Sequence, residues 1–162
     1  MNFQLTLALK KHLETELAGL NLVHQSDDGR DQAGPPRVWI GDLPPKRRKD
    51  AAGREIPCVV IVPHAGHQED GHGMETVALV CIVYNPEDGD GEGGENDMSI
   101  LISGIFKALM PALESKGRPL ANRFVLEPDN RGRILPWEKS GQQPRPFLQA
   151  AITSQWRYKG WE

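Results

Sequence analysis

Three histidines, His64, His67 and His72, fall within nine residues, with Glu69, Asp70 and Glu75 interspersed or just beyond. Neutral imidazoles and carboxylates are suitable donors for zinc and other divalent ions, so this stretch is the first candidate metal site. Its spacing is His-x2-His and then x4-His, in a glycine-containing hairpin connection. A zinc hydrolase instead places two histidines one helical turn apart with a glutamate between them, and that pattern is absent. The expected reading is a solvated connection between strands, with a metal-dependent enzyme built on His64, His67 and His72 as the alternative.

A second cluster is acidic. Glu87, Asp88, Asp90, Glu92, Glu95 and Asp97 occur in one glycine-rich segment without a cation, whereas the whole chain has a formal net charge of only −3, so the remainder is net positive. Asp88, Asp90, Glu92 and Gly93 imitate the first half of a calcium loop, but Ser99 stands where the closing bidentate glutamate is required. Six carboxylates would also repel a phosphate, and no lysine follows the glycines. The basic run Lys46-Arg47-Arg48-Lys49 could meet phosphates by displacing counterions, which makes a nucleic-acid-binding module a further alternative. No aromatic residue interleaves with it to stack on bases. Cys58 and Cys81 sit inside apolar runs and read as small buried hydrophobes, not as a disulfide or a nucleophile. No Gly-x-Ser-x-Gly turn occurs. These residues do not compose a catalytic set, and no cofactor is expected.

The elements that position these groups follow from periodicity. Leu5, Leu9, Leu13 and Leu17 recur every four positions and predict an amphipathic helix over 3–20. Ile56 to Val62 predicts a strand, and Met74 to Tyr84 a stronger one. Both faces of the latter are apolar: Val77, Leu79, Cys81 and Val83 on one, Ala78, Val80, Ile82 and Tyr84 on the other, as expected of a central strand covered on both sides. Asn96 or Asp97 is expected to cap a second helix that buries Met98, Leu101, Ile102, Ile105, Phe106 and Leu109 and ends at Pro111. Arg37–Ile40, Arg123–Glu127 and Ile134–Trp137 read as short strands. The closing run, Leu148 to Lys159, alternates as a half-buried strand.

Length and composition, 162 residues with 17 glycines, 13 prolines and 38% hydrophobic residues, fit one domain with long loops, at about 26–55, 63–73 and 85–96. The predicted class is α+β: a mainly antiparallel sheet with two principal helices packed on one face. The opposite face, with Val80, Ile82 and Tyr84, then needs a cover of its own, and another copy of the chain is the simplest one. No secretory signal is read at the start, and no run approaches the roughly 20 apolar residues of a membrane span.

The order of these elements resembles the small tail-terminator and neck proteins that join head to tail in long-tailed bacteriophages and prophages. The likeness lies in the N-terminal amphipathic helix, the strand Val77–Tyr84, the acidic loop leading through Asn96-Asp97 into the helix Met98–Leu109, and the closing segment from Pro146-Phe147 to Trp156. The 26–55 region and the histidine-bearing stretch have no counterpart in that layout. The resemblance implies a non-enzymatic ring, commonly a hexamer, at the end of the tail tube, made in the host cytoplasm and carried in the virion tail. Its implied partners are other copies of itself, the tube protein and head-completion or connector proteins, with no membrane. Glu87, Asp88, Asp90 and Glu92 would line a lumen through which DNA slides without sticking, and Lys46, Arg47, Arg48 and Lys49 would meet an acidic partner.

Overall fold

The computed structural model describes residues 2–24, 32–41, 56–84, 92–140 and 147–159. Helix α1 (Phe3–Glu16) begins where Asn2 accepts hydrogen bonds from the Gln4 and Leu5 amides at 3.0 and 3.3 Å, satisfying donors that have no partner within the helix. Leu5, Leu9 and Leu13 within it and Leu17 at its C-cap, spaced every four positions, are essentially without solvent contact. Burial of each contributes about 1.5–3 kcal/mol.

Strands β1 (Leu22–His24) and β2 (Gln32–Gly34) pair with each other. Strand β3 (Arg37–Ile40), β4 (Cys58–Glu69), β5 (His72–Tyr84), β6 (Val125–Glu127), β7 (Trp137–Lys139) and β8 (Phe147–Lys159) form a six-stranded sheet ordered β3-β4-β5-β8-β6, with β7 also on β8. All pairings in it are antiparallel except β3 with β4. Helix α2 (Glu92–Leu109) and α1 lie on the same face, over Val59, Ile61, Val77, Leu79, Cys81, Ile152 and Trp156, so the predicted α+β class and the one-sided placement of the helices hold. Ser99, Ser103 and Lys107 form the exposed stripe of α2, and the helix gives way to a 3-10 turn at Met110–Ala112, where Pro111 cannot continue it. No helix among the described residues is long and apolar enough to cross a membrane.

Three expectations require correction. The stretch 63–73 is not a long loop: β4 runs on to Glu69 through a bulge between Pro63 and Ala65, and β5 starts at His72. Only Asp70 and Gly71 form the turn, with φ of 31° and 81°, the paired positive values of a tight hairpin for which Asp-Gly is suited. Second, neither Asn96 nor Asp97 caps α2, which is already helical from Glu92, so residues 92–96 of the expected 85–96 loop are helix. Gly93 and Gly94, poor helix formers, conceal that early start. Third, the 26–55 region contains β2 as well as β3, and Ile134 lies outside β7.

Asp97 ties β1 to α2 instead. Its carboxylate, 6% exposed, accepts the Val23 amide at 2.9 Å. Asp97→Ala is expected to lower unfolding free energy by about 1–3 kcal/mol, the usual consequence of losing a hydrogen bond to a charged group. Asp97→Asn, which keeps an acceptor oxygen, should lose less; urea unfolding of both variants checks this.

The stop of β3 against β4 also has a local cause. The Pro57 carbonyl accepts from Arg37 and the Ile61 carbonyl from Gly41, at 3.0 and 2.8 Å, so alternate residues of β4 turn their backbone toward β3. The next in that series is Pro63, which has no N–H to offer. Beyond β6, the Asp129 carboxylate accepts the amides of Arg131 and Arg133 and the Arg133 guanidinium, and those contacts hold its carboxyl below the usual carboxylate range. Arg157 is bound by Glu127 at 2.6 Å, which fastens β6 to β8.

Candidate functional site

Of the charged clusters read from the sequence, only the histidine-bearing stretch lies wholly among the described residues. Lys46, Arg47, Arg48, Lys49, Glu87, Asp88 and Asp90 lie outside the described residues, and Glu92 opens α2. His64 sits in the bulge of β4, exposed. His67 Nε2 approaches Glu69 Oε1 at 3.2 Å, and His72 Nδ1 approaches the Asp70 carbonyl at 3.3 Å, both at the exposed end of the β4–β5 hairpin. Among the described residues no group of three histidine, cysteine, aspartate or glutamate side chains gathers to hold a metal ion. Cys58 and Cys81 are both buried, on opposite faces of the sheet, and are not joined in a disulfide; burial pushes the Cys81 thiol up, which suppresses the reactive thiolate.

Two features remain. The first is the sheet face turned away from the helices. Ile56, Cys58, Val60 and Ile82 form a second small core there, with Trp39, Val62, Val80, Tyr84 and Phe147 partly buried around it, and the Tyr84 and Phe147 rings 6.2 Å apart. From Thr76 to Tyr84 on β5 and from Phe147 to Gln155 on β8, no side chain on this face is charged. Of the three residues expected to make contacts between copies, Ile82 is only 8% exposed, already packed within its own chain, whereas Val80 and Tyr84 stay half-buried at the surface. Neither α1 nor α2 contributes to this second core.

The second feature was not found by sequence reasoning as a unit. At the hairpin end of the helix-covered face, Glu75 is 5% exposed and accepts a hydrogen bond from the Tyr158 hydroxyl at 3.4 Å, while Gln68 Nε2 donates to that hydroxyl at 3.2 Å. Two strand glycines make the room. A Cβ on Gly73 would lie 2.2 Å from Tyr158 Cζ, and one on Gly66 would lie 2.9 Å from Glu75 Cγ. The Arg123 guanidinium stands 5.5 Å from the centre of the Tyr158 ring, and Phe124 meets that ring edge-on at 5.6 Å. Beside Glu75 a recess of about 260 Å³ is lined by Pro63, His64, Ala65 and Gly66. The one available signal was Gly73, a glycine just before the strand-like run Met74–Tyr84, whereas Gly66 lies in a stretch without strand alternation.

No protein-family model matches the chain, and no curated protein matches it either.

Proposed function

We propose that this chain is a structural protein of a phage-type tail, a terminator or completion protein whose copies close into a ring at the end of the tail tube and join it to the head. The observation that carries this reading is the uncharged strip of β5 and β8 around Val80 and Tyr84. Neither helix contributes to its small core, and it lies between Arg37 of β3 and Glu138 of β7. Depletion of charge over a half-apolar surface is the composition of an interface core, and a stable interface needs about 800 Å² per partner. Contacts between unlike surfaces of neighbouring copies close into a ring when the rotation relating them completes a circle. The layout that resembles tail-terminator and neck proteins supplies the biological setting, and the α+β architecture is compatible with it.

Sedimentation velocity and electron microscopy of the purified protein, alone and mixed with tail tubes, test the proposal. Rings, free or at tube ends, are expected for the wild-type chain. Val80→Lys together with Tyr84→Lys places two cations on the face and should abolish ring formation while leaving the far-UV circular dichroism spectrum unchanged. A wild-type protein that stays monomeric at high concentration and on tubes, or a folded double variant that still forms rings, overturns it.

A further inference from the structure

We propose that the two outer edges of the sheet join copies of this chain head to tail, strand β3 of one copy pairing antiparallel with strand β7 of the next. Such a seam presupposes the proposed association of copies and lies at the sheet edges, outside the strip around Val80 and Tyr84. Among the described residues no strand pairs with β3 on the side away from β4, or with β7 on the side away from β8. An edge of this kind presents a row of donors and acceptors that a further strand can take up.

The two edges match in position, direction, hydrogen-bond phase and charge. Followed through β4, β5 and β8, the ladders put Val38 in line with Lys139, Trp39 with Glu138 and Ile40 with Trp137. Strand β3 runs with β4 and three antiparallel steps follow, so β3 and β7 point in opposite senses. Arg37 and Gly41 donate to β4 carbonyls at 3.0 and 2.8 Å, so Val38 and Ile40, out of phase with them, direct their N–H and C=O groups away from β4. On β7 the Pro136 carbonyl accepts from Thr153 at 2.9 Å and Ser140 donates to the Gln149 carbonyl at 3.0 Å, which directs Trp137 and Lys139 away from β8. Val38 therefore meets Lys139 and Ile40 meets Trp137, two pairs of the kind that exchange both N–H···O bonds. Arg37 and Glu138 are exposed and share one sheet face. Across the seam they stand diagonally, about 7 Å apart, within reach of a long side chain. Trp137, 51% exposed, gains the flank of Ile40. Two β7 edges joined in the same phase would instead set Glu138 against Glu138, a destabilising like-charge pair.

Sedimentation velocity of the full chain over a range of concentrations tests the seam. Lys139→Pro removes an outward N–H without removing a bond between β7 and β8, and should weaken association at least about tenfold. Lys139→Ala also loses the ion pair to Glu95 but keeps the N–H, and should associate as the wild-type chain does. Arg37→Glu and Glu138→Arg should each weaken association roughly twofold to fivefold, and the two together should restore it, because the pair is then rebuilt with its charges exchanged. This exchange decides the matter if Lys139→Pro does not keep the far-UV circular dichroism spectrum of the wild-type chain. A wild-type chain that stays monomeric overturns the seam together with the proposed ring. Association that the folded Lys139→Pro variant leaves unchanged, or that the charge exchange does not restore, overturns the seam and leaves the ring standing.

Discussion

Trp156→Ala is expected to destabilise this protein by about 3–5 kcal/mol, the range for deleting a large buried aromatic ring. Domains of ordinary stability hold about 5–15 kcal/mol, so such a loss leaves the variant marginal, with a melting temperature roughly 10 °C lower or more. Trp156 has no solvent contact and sits on β8 between the helices and the sheet. Its indole N–H donates to Ser154 Oγ at 2.8 Å, and the Ser154 hydroxyl in turn donates to the Val77 carbonyl at 2.8 Å. The chain of bonds means that the two residues fail together. Ser154→Ala strands a buried indole donor and should cost about 1–3 kcal/mol. In a Trp156→Phe background, where that donor no longer exists, the same serine substitution should cost less. Chemical denaturation of the two single variants and the double variant checks the coupling; strict additivity would mean that the hydrogen bond contributes nothing.

Gly73→Ala is the second large effect, and it works by excess volume. The added methyl group would stand 2.2 Å from Tyr158 Cζ and 2.6 Å from its hydroxyl oxygen, so the ring has to leave. With it go the edge-on contact to Phe124 and the hydroxyl bond to Glu75. Overpacking of this kind costs about 1–3 kcal/mol and occasionally more. In a Tyr158→Ala background that ring is gone and the alanine at position 73 should be nearly neutral. Thermal melts of the four proteins settle the point: an equal loss in both backgrounds would trace the effect to glycine's backbone freedom instead of the ring.

Local periodicity made much of the architecture legible. The leucines of α1, the two apolar faces of β5, the exposed serine and lysine stripe of α2 and the alternation of β8 are each a statement about one element's own surface. Their burial in the structure follows from their spacing. The start of α2 was harder to read, because Glu92-Gly93-Gly94 is a poor helical sequence whose helicity does not come from its own propensities. The distal half of β4 was missed for a similar reason. His64-Ala65-Gly66-His67-Gln68 has no strand alternation, and its extended form is set by the neighbouring β5 ladder across the bulge at Pro63.

Residue type and period were enough to fix the class of the fold, the faces that go inward and the absence of any charge on the second face of β5, since each of these is a property of one element. The meeting of Glu75 with Tyr158, 83 positions away, and of Asp97 with the Val23 amide, 74 positions away, exists only in the folded arrangement. Strand order and cross-strand register bring such groups together, and a one-residue slip of a strand would turn its side chains to the opposite face.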